Sequence, residues 1–258
     1  MRNRRLDGVG DWILQRNEFE SWSNSRDGEE DVILRCYGGQ GVGKTYIRYK
    51  SIFQKPETML TRKLSSLVID TLREQARGQN IAVLYLYCDY QDQKDQSAVN
   101  MIGSLLRQMA VAAGRIPDEI QSSFEQSSQG GIQDLRLPDM LKLFAKTFSP
   151  IKRVYICVDA IDELQPHHQS KLLHSLRQII EDAPNTPIFL TGRPHISGEV
   201  GRHLKKGTFS ICVIPDKGYI ASYLRRKIED DNARDPKLMT EDLKNDIMNT
   251  VLEKASEM

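Results

Sequence analysis

The most specific chemical pattern in this sequence is a glycine-rich stretch followed by a lysine and a threonine. It fits the P-loop pattern G-x-x-x-x-G-K-[ST] and consists of Gly38, Gly39, Gln40, Gly41, Val42, Gly43, Lys44 and Thr45. The glycines allow a tight turn whose backbone N–H groups approach phosphate oxygens. Lys44 would place a positive charge at the β- and γ-phosphates, and Thr45 would offer a hydroxyl oxygen to Mg²⁺. The pattern therefore predicts a site for the phosphates of a nucleotide.

A cluster of acidic residues could complete such a site. An apolar run, residues 154–158, leads directly into Asp159, and Asp162 and Glu163 follow shortly after. Because α/β sheets bind ligands beyond the carboxyl ends of their strands, Asp159 is well placed to be the second protein oxygen for Mg²⁺. Carboxylates at the next positions can reach the γ-phosphate side and orient a water for attack. We therefore predict Mg²⁺ ligands at Thr45 and Asp159, and water-orienting acids at Asp162 and Glu163.

An arginine follows the next strand-like run. Residues 187–191 form that run, and Arg193 comes directly beyond its end. A guanidinium there can contact the γ-phosphate and report which nucleotide is bound. Arg193 is therefore predicted to complete a catalytic set with Asp162 and Glu163.

These residues need a scaffold of alternating strands and helices. Apolar runs typical of buried strands cover residues 31–37, 81–88, 154–158, 187–191 and 209–214. Apolar residues at helical spacing predict helices from 59 to a stop at Gly78, from Ser97 to 109, from 116, and over 138–148, 165–181 and 236–258. Such alternation is typical of an α/β domain with a mostly parallel sheet. The aromatic residues within 12–22 predict a further short amphipathic element, either a helix packed on the sheet edge or a lid against the nucleotide base.

The bulk composition is that of an ordinary globular protein. The 258 residues carry 36 Lys plus Arg and 35 Asp plus Glu, so the net charge of +1 gives no argument for nucleic acid or a membrane as partner. No apolar run reaches the roughly 18–20 residues of a membrane span. Cys36, Cys88, Cys157 and Cys212 are scattered without CxxC spacing. We therefore expect buried free thiols in a reducing cytoplasm.

Together these motifs resemble a NACHT domain, of the signal-transducing STAND class of P-loop ATPases. The similarity is greatest to the fungal kind, which often carries ankyrin or other repeats downstream. Residues 158–163 read VDAIDE and are similar to the acidic second motif of that family. Residues 190–194 read LTGRP and resemble its TSRP sensor, with Gly192 in place of the usual serine. Residues 8–14 and 86–90 resemble its N-terminal GTGxWLL segment and its YFYCDY strand end.

The resemblance implies a P-loop NTPase three-layer sandwich with a mostly parallel central sheet, followed by a small helical subdomain. The expected domains are an N-terminal segment (1–30), the NACHT core (31–215) and a helical subdomain (216–258) that stops before a winged helix. The implied function is a switch that binds Mg²⁺ with ATP or GTP and hydrolyses the nucleotide slowly, as in innate immunity or heterokaryon incompatibility. The implied partners are the nucleotide, further copies of the chain, and repeat or effector domains missing from it. Nucleic acid and membrane are not expected.

One segment departs from the family pattern. Residues 46–58 separate Thr45 from the helix that relatives place directly after the lysine–threonine pair, and Pro56 interrupts them. One hypothesis is a gene-model artefact such as a retained intron. A genuine insert should weaken nucleotide binding, because it interrupts the helix dipole behind Lys44.

A non-hydrolysing scaffold or interaction module with a degraded nucleotide site is therefore an alternative function. A metabolic P-loop enzyme such as a kinase is a third, for which the sequence offers no second-substrate feature.

Overall fold

The computed structural model describes residues 11–25, 32–38, 62–114, 136–148, 151–204, 207–213, 218, 221, 224–225, 228–229 and 240–256. The chain separates into two compact units after Cys212. Three of the sequence-based predictions concern segments outside the described residues. These are the P-loop motif beyond Gly38, the insert 46–58 and the helix expected from residue 116.

A five-stranded sheet forms the centre of the larger unit. Its strands are β1 (Ile33–Tyr37), β2 (Ile81–Tyr87), β3 (Arg153–Asp159), β4 (Ile188–Gly192) and β5 (Thr208–Cys212). They lie in the order β2-β3-β4-β1-β5, and all pairings among them are parallel. Strand β4 therefore lies between the strand that leads into the P-loop motif and the strand that ends in the first acid.

The described residues also contain seven α-helices. They are α1 (Asn17–Asn24), α2 (Arg62–Gln75), α3 (Ala98–Ala112), α4 (Leu137–Phe148), α5 (Pro166–Asp182), α6 (Ser197–His203) and α7 (Glu241–Ser256). Helices α3, α4 and α5 pack against one another. Helix α3 also contacts β2, and α2 contacts β2 and β3. The alternation of strands and helices predicted from the sequence is confirmed.

The apolar faces of α2, α3 and α5 are buried as expected, whereas Leu243 and Val251 of α7 are exposed. The buried faces comprise Leu64, Leu67, Val68 and Leu72 of α2, Met101, Ile102, Leu105, Leu106 and Met109 of α3, and Leu172, Leu173, Leu176, Ile179 and Ile180 of α5. Helix α3 begins where its capping residue predicts, because Ser97 Oγ accepts a hydrogen bond from the Asn100 N–H (3.2 Å). Gly78, the predicted stop after α2, has a φ of 72°, a left-handed value that suits glycine.

Strand β2 lies at the edge of the sheet, which corrects the prediction that it is buried on both faces. Only alternate residues, Ala82, Leu84 and Leu86, are buried. An edge strand has fewer neighbours to cover its second face. On the outer side of this strand, a side chain of α3 satisfies the backbone of Tyr85. Gln108 Oε1 accepts from the Tyr85 N–H (3.0 Å), and Gln108 Nε2 donates to the Tyr85 carbonyl (2.9 Å).

Two of the N-terminal aromatic residues, Phe19 and Trp22, lie buried in helix α1, which packs on the sheet. Trp22 is fully buried, and its ring contacts Tyr155 of β3 and Phe189 of β4, with centroids 5.7 and 6.1 Å away. The indole Nε1 donates to the Val32 carbonyl (3.3 Å). The indole therefore lies over inner strands and fixes the chain just before β1. Helix α1 itself contacts β1 and the edge strand β5, as the prediction of a helix packed on the sheet edge requires.

Three of the four cysteines are buried free thiols, as predicted. These are Cys36, Cys88 and Cys157. Burial raises the pKa of the Cys36 and Cys157 thiols, which keeps both protonated. Cys212 is exposed, which corrects the prediction for that residue. It ends β5, the other edge strand of the sheet.

The described part of the smaller unit is mostly helical. It contains α7, within the range 236–258 predicted to be helical, and helical residues at 218, 221, 224–225 and 228–229. The predicted domain boundaries, 1–30, 31–215 and 216–258, stay predictions. In the described part of the chain, no helix combines the length and the apolar character needed to cross a membrane.

Candidate functional site

The carboxyl ends of three neighbouring strands meet at one edge of the sheet. Strand β3 ends at Asp159 and β4 at Gly192, which pairs in parallel register with Tyr37, the end of β1. Directly after β1, the N–H of Gly38 donates to the Gly192 carbonyl (3.4 Å). The first residue of the P-loop motif therefore lies beside the strand that leads into Arg193. Ligands of parallel α/β sheets bind at this edge.

Asp159 is held by two hydroxyl groups that come from different elements. The residue is only 1% exposed. Its Oδ1 accepts hydrogen bonds from Ser65 Oγ of α2 (2.5 Å) and from Thr191 Oγ1 of β4 (2.6 Å). Hydroxyl-to-carboxylate hydrogen bonds are short and about twice as strong as those between neutral groups. The two bonds therefore fix the orientation of this carboxylate.

The backbone turns sharply after Asp159. Ala160 has a φ of 53° and a ψ of 46°, the left-handed region that costs an L-residue about 1 kcal/mol or more. Its N–H donates to Thr191 Oγ1 (2.9 Å). The threonine hydroxyl thus accepts from the turn while it donates to Asp159. The turn leads into a 3₁₀ segment, Ile161–Glu163, whose two acids face different neighbours.

Asp162 binds Arg193 through two separate contacts. Its Oδ1 accepts from the Arg193 backbone N–H (3.1 Å), and its Oδ2 lies 3.1 Å from Arg193 Nε. The Asp162 side chain is 5% exposed, whereas that of Arg193 is 42% exposed. A carboxylate this well buried needs a partner, but the guanidinium still reaches solvent. A Cβ at Gly192 would collide with the Ile196 side chain, so serine at this position would require Ile196 to move.

Glu163 faces the opposite side, toward the turn that follows β2. Its Oε2 accepts from the Tyr90 N–H (3.2 Å), and its carbonyl accepts from Gln93 Nε2 (3.1 Å). Tyr90 itself is 57% exposed. Asp162 and Glu163 are adjacent in sequence, but one binds the segment after β4 and the other the segment after β2.

Comparison with known proteins assigns the chain to a family. A family model described as nephrocystin 3, N-terminal, matches residues 62–193, which is half of the chain. The chain belongs to the nephrocystin 3 N-terminal family. The nephrocystin 3 N-terminal match runs from the first residue of α2 to Arg193, so it includes Ser65 and Asp159 but neither the P-loop motif nor the insert. No curated protein matches the sequence.

Solved structures share the fold at low sequence identity. An Orc1 protein of Aeropyrum pernix, solved in complex with DNA, superposes with a TM-score of 0.53 at 16% identity, over 88% of this chain and 50% of that one. A Walker-type ATPase of Pyrococcus abyssi gives 0.50 at 16% identity, over 88% and 60%. The nephrocystin 3 N-terminal chain thus spans half to three fifths of these proteins. The predicted α/β fold with a mostly parallel sheet is confirmed.

The structure brings together some of the predicted site residues that it describes. Asp159, Asp162 and Arg193 lie where β3 and β4 end, and Gly192 of β4 contacts Gly38, whereas Glu163 faces the turn after β2. The remaining predicted positions lie outside the described residues. They are Gly39, Gln40, Gly41, Val42, Gly43, Lys44 and Thr45.

Two hydroxyl residues of the site were missed by the sequence analysis. Ser65 lies on the apolar face of α2, between Leu64 and Leu67, and is 1% exposed. A polar residue at a buried helical position is a usable signal, because a buried hydroxyl needs a partner. Thr191 lies within the sensor-like segment, directly before Gly192, and is equally buried. Its position at the end of a buried strand carried the same signal.

The donor chemistry at Asp159 fits Mg²⁺. This ion prefers oxygen ligands, binds through one or two carboxylates and keeps several waters. The buried carboxylate with its two hydroxyl partners provides one firmly oriented oxygen donor group at the strand end. Among the described residues there is no group of three or more His, Cys, Asp and Glu side chains that could hold a metal ion. Asp159 would hold the ion, with Thr45 as its predicted companion.

Proposed function

We propose that this nephrocystin 3 N-terminal family protein is a nucleotide-binding signalling switch of the NACHT type. It binds Mg²⁺ with ATP or GTP and hydrolyses the nucleotide slowly, and the bound nucleotide decides between a closed and an open state. The observation that carries the proposal is the pair of contacts between Asp162 and Arg193 beside the P-loop end of β1.

These contacts give the switch a physical basis. Guanidinium groups bind phosphate as readily as carboxylate. A γ-phosphate at this edge would therefore compete with Asp162 for Arg193, whose side chain is exposed enough to change partner. Release of Asp162 would free its carboxylate to orient a water. Loss of the γ-phosphate would let the two residues bind each other again.

The remaining roles follow from the positions of the groups. Lys44 and the N–H groups of residues 38–45 would hold the phosphates, and Thr45 and Asp159 the Mg²⁺ ion, which supplies charge neutralisation when bound. Asp162 would serve as the principal general base, an effect that typically contributes about 10²–10⁴-fold to the rate. Glu163 must first leave the Tyr90 N–H to share this role.

The closed and open states would differ in what the chain binds. In the proposed closed state Arg193 binds Asp162, and in the open state the chain self-associates or signals to downstream repeat or effector domains. We propose a cytoplasmic location and neither nucleic acid nor membrane as partner, in line with the balanced charge.

The proposal is tested by calorimetry with ADP, ATP and GTP in the presence of Mg²⁺. The wild-type chain should bind at least one nucleotide, and Lys44→Ala should weaken binding at least tenfold, because a phosphate loses its main point charge. Lys142→Ala, which removes an exposed lysine of α4, is the matched control and should bind like wild type. A folded wild-type chain that binds no nucleotide would overturn the proposal in favour of the non-hydrolysing scaffold.

A further inference from the structure

We propose that Ser65 is a positioning residue of the metal site, and that its hydroxyl sets the Mg²⁺ affinity of Asp159. The inference rests on the proposed function, because it concerns the same nucleotide site. It adds a residue on α2 to a set that otherwise comes from the P-loop motif and the ends of β3 and β4.

The first argument is the geometry of the contact. Ser65 Oγ donates to Asp159 Oδ1 at 2.5 Å, and Thr191 Oγ1 donates to the same oxygen at 2.6 Å. All three residues are 1% exposed, so water does not compete for these bonds. The carboxylate is therefore held from the helix on one side and from the neighbouring strand on the other.

The second argument is the choice of partner. A buried hydroxyl in a helix usually donates to the carbonyl one turn earlier. Thr147 of α4 does so to the Leu143 carbonyl (2.7 Å), and Ser175 of α5 to the Lys171 carbonyl (2.9 Å). Ser65 instead donates to a carboxylate 94 positions away in the sequence. Local helix chemistry does not account for this contact.

The third argument concerns what such a contact does. Carboxylates that bind metals are themselves hydrogen-bonded, and loss of the outer partner typically lowers metal affinity by about 10–100-fold. Ser65 suits this role, because Thr191 also accepts from the Ala160 N–H and so holds the turn as well. Removal of the Ser65 hydroxyl should therefore disturb the carboxylate without disturbing the turn.

The test separates metal binding from nucleotide binding. The dissociation constant of a fluorescent ADP analogue is measured in EDTA and in Mg²⁺, and the ratio of the two constants is the Mg²⁺ enhancement. In Ser65→Ala the enhancement should fall about tenfold, or to unity, while the constant in EDTA stays at the wild-type value. The control is Ser66→Ala, whose hydroxyl lies 3.4 Å from the Tyr87 hydroxyl and should leave both constants unchanged.

Ser65→Cys provides a second variant of nearly the same size, with a much weaker donor. It should lose the enhancement in the same way, and it decides the question should the alanine variant not fold. An enhancement that survives in these variants, or constants that rise equally with and without Mg²⁺, would overturn the inference alone. A folded wild-type chain that binds no nucleotide in either condition would overturn the proposed function, and the inference with it.

Discussion

Buried or part-buried polar groups find hydrogen-bond partners both at the β3–β4 end of the sheet and along the edge strand β2, but the partners differ in charge. At the β3–β4 end, the contacts involve charged side chains: Asp162 pairs with Arg193, and the Asp159 carboxylate accepts from two hydroxyls. At the β2 edge, the neutral amide of Gln108 binds the backbone of Tyr85 on both sides.

The difference separates groups that a ligand can replace from groups that complete the fold. A phosphate or a metal ion competes well for a guanidinium or a carboxylate. Neither competes well for a glutamine amide that already satisfies a backbone donor and acceptor. Glu163 is intermediate between the two regions, because its charged carboxylate accepts from the backbone N–H of Tyr90, on the β2 side.

The largest effect on nucleotide hydrolysis should come from substituting Asp162, and the neighbouring Glu163 should matter less. Asp162→Asn keeps an oxygen for the Arg193 N–H but loses the charge, so steady-state nucleotide hydrolysis should fall by about 100-fold or more. Glu163→Gln, its matched control, keeps an acceptor for the Tyr90 N–H and should lose less than about tenfold. Equal losses of hydrolysis rate in the two variants would mean that both acids have the same role, which would contradict the difference drawn here between the β3–β4 end and the β2 side. An unchanged rate in Asp162→Asn would exclude that residue as the base.

The smallest effect should come from the β2 edge. Gln108→Ala leaves the Tyr85 N–H and carbonyl to water, which should lower the free energy of unfolding by about 1 kcal/mol in urea. Nucleotide affinity should not change. Arg107→Ala, at an exposed position of the same helix, should change neither quantity. A nucleotide affinity that falls with Gln108→Ala would show that this edge also serves the site.

Local patterns predicted the elements of the fold and the acids of the site. Apolar runs located all five strands, and helical periodicity located the buried faces of α2, α3 and α5. The acids after β3 and Arg193 after β4 were found because ligand-binding side chains follow strand ends. Each of these patterns lies within one strand or helix, or in the residues directly after it.

Tertiary partners could not be predicted in the same way. The edge position of β2 depends on strand order, and the exposure of Cys212 depends on β5 being the other edge. The contact between Ser65 and Asp159 joins residues 94 positions apart, and nothing local pairs them. The pairing of Asp162 with Arg193, and of Glu163 with the turn after β2, likewise joins segments that are distant in the sequence.

The exchange of Arg193 between Asp162 and a γ-phosphate is the central claim, and one affinity ratio tests it most directly. The ratio compares the dissociation constants of ADP and a non-hydrolysable ATP analogue, each with Mg²⁺, in wild type, in Arg193→Ala and in the exposed control Arg202→Ala. The account predicts that Arg193→Ala weakens binding of the triphosphate about tenfold relative to ADP, while Arg202→Ala leaves the ratio at the wild-type value. An Arg193→Ala ratio equal to that of wild type would contradict the account.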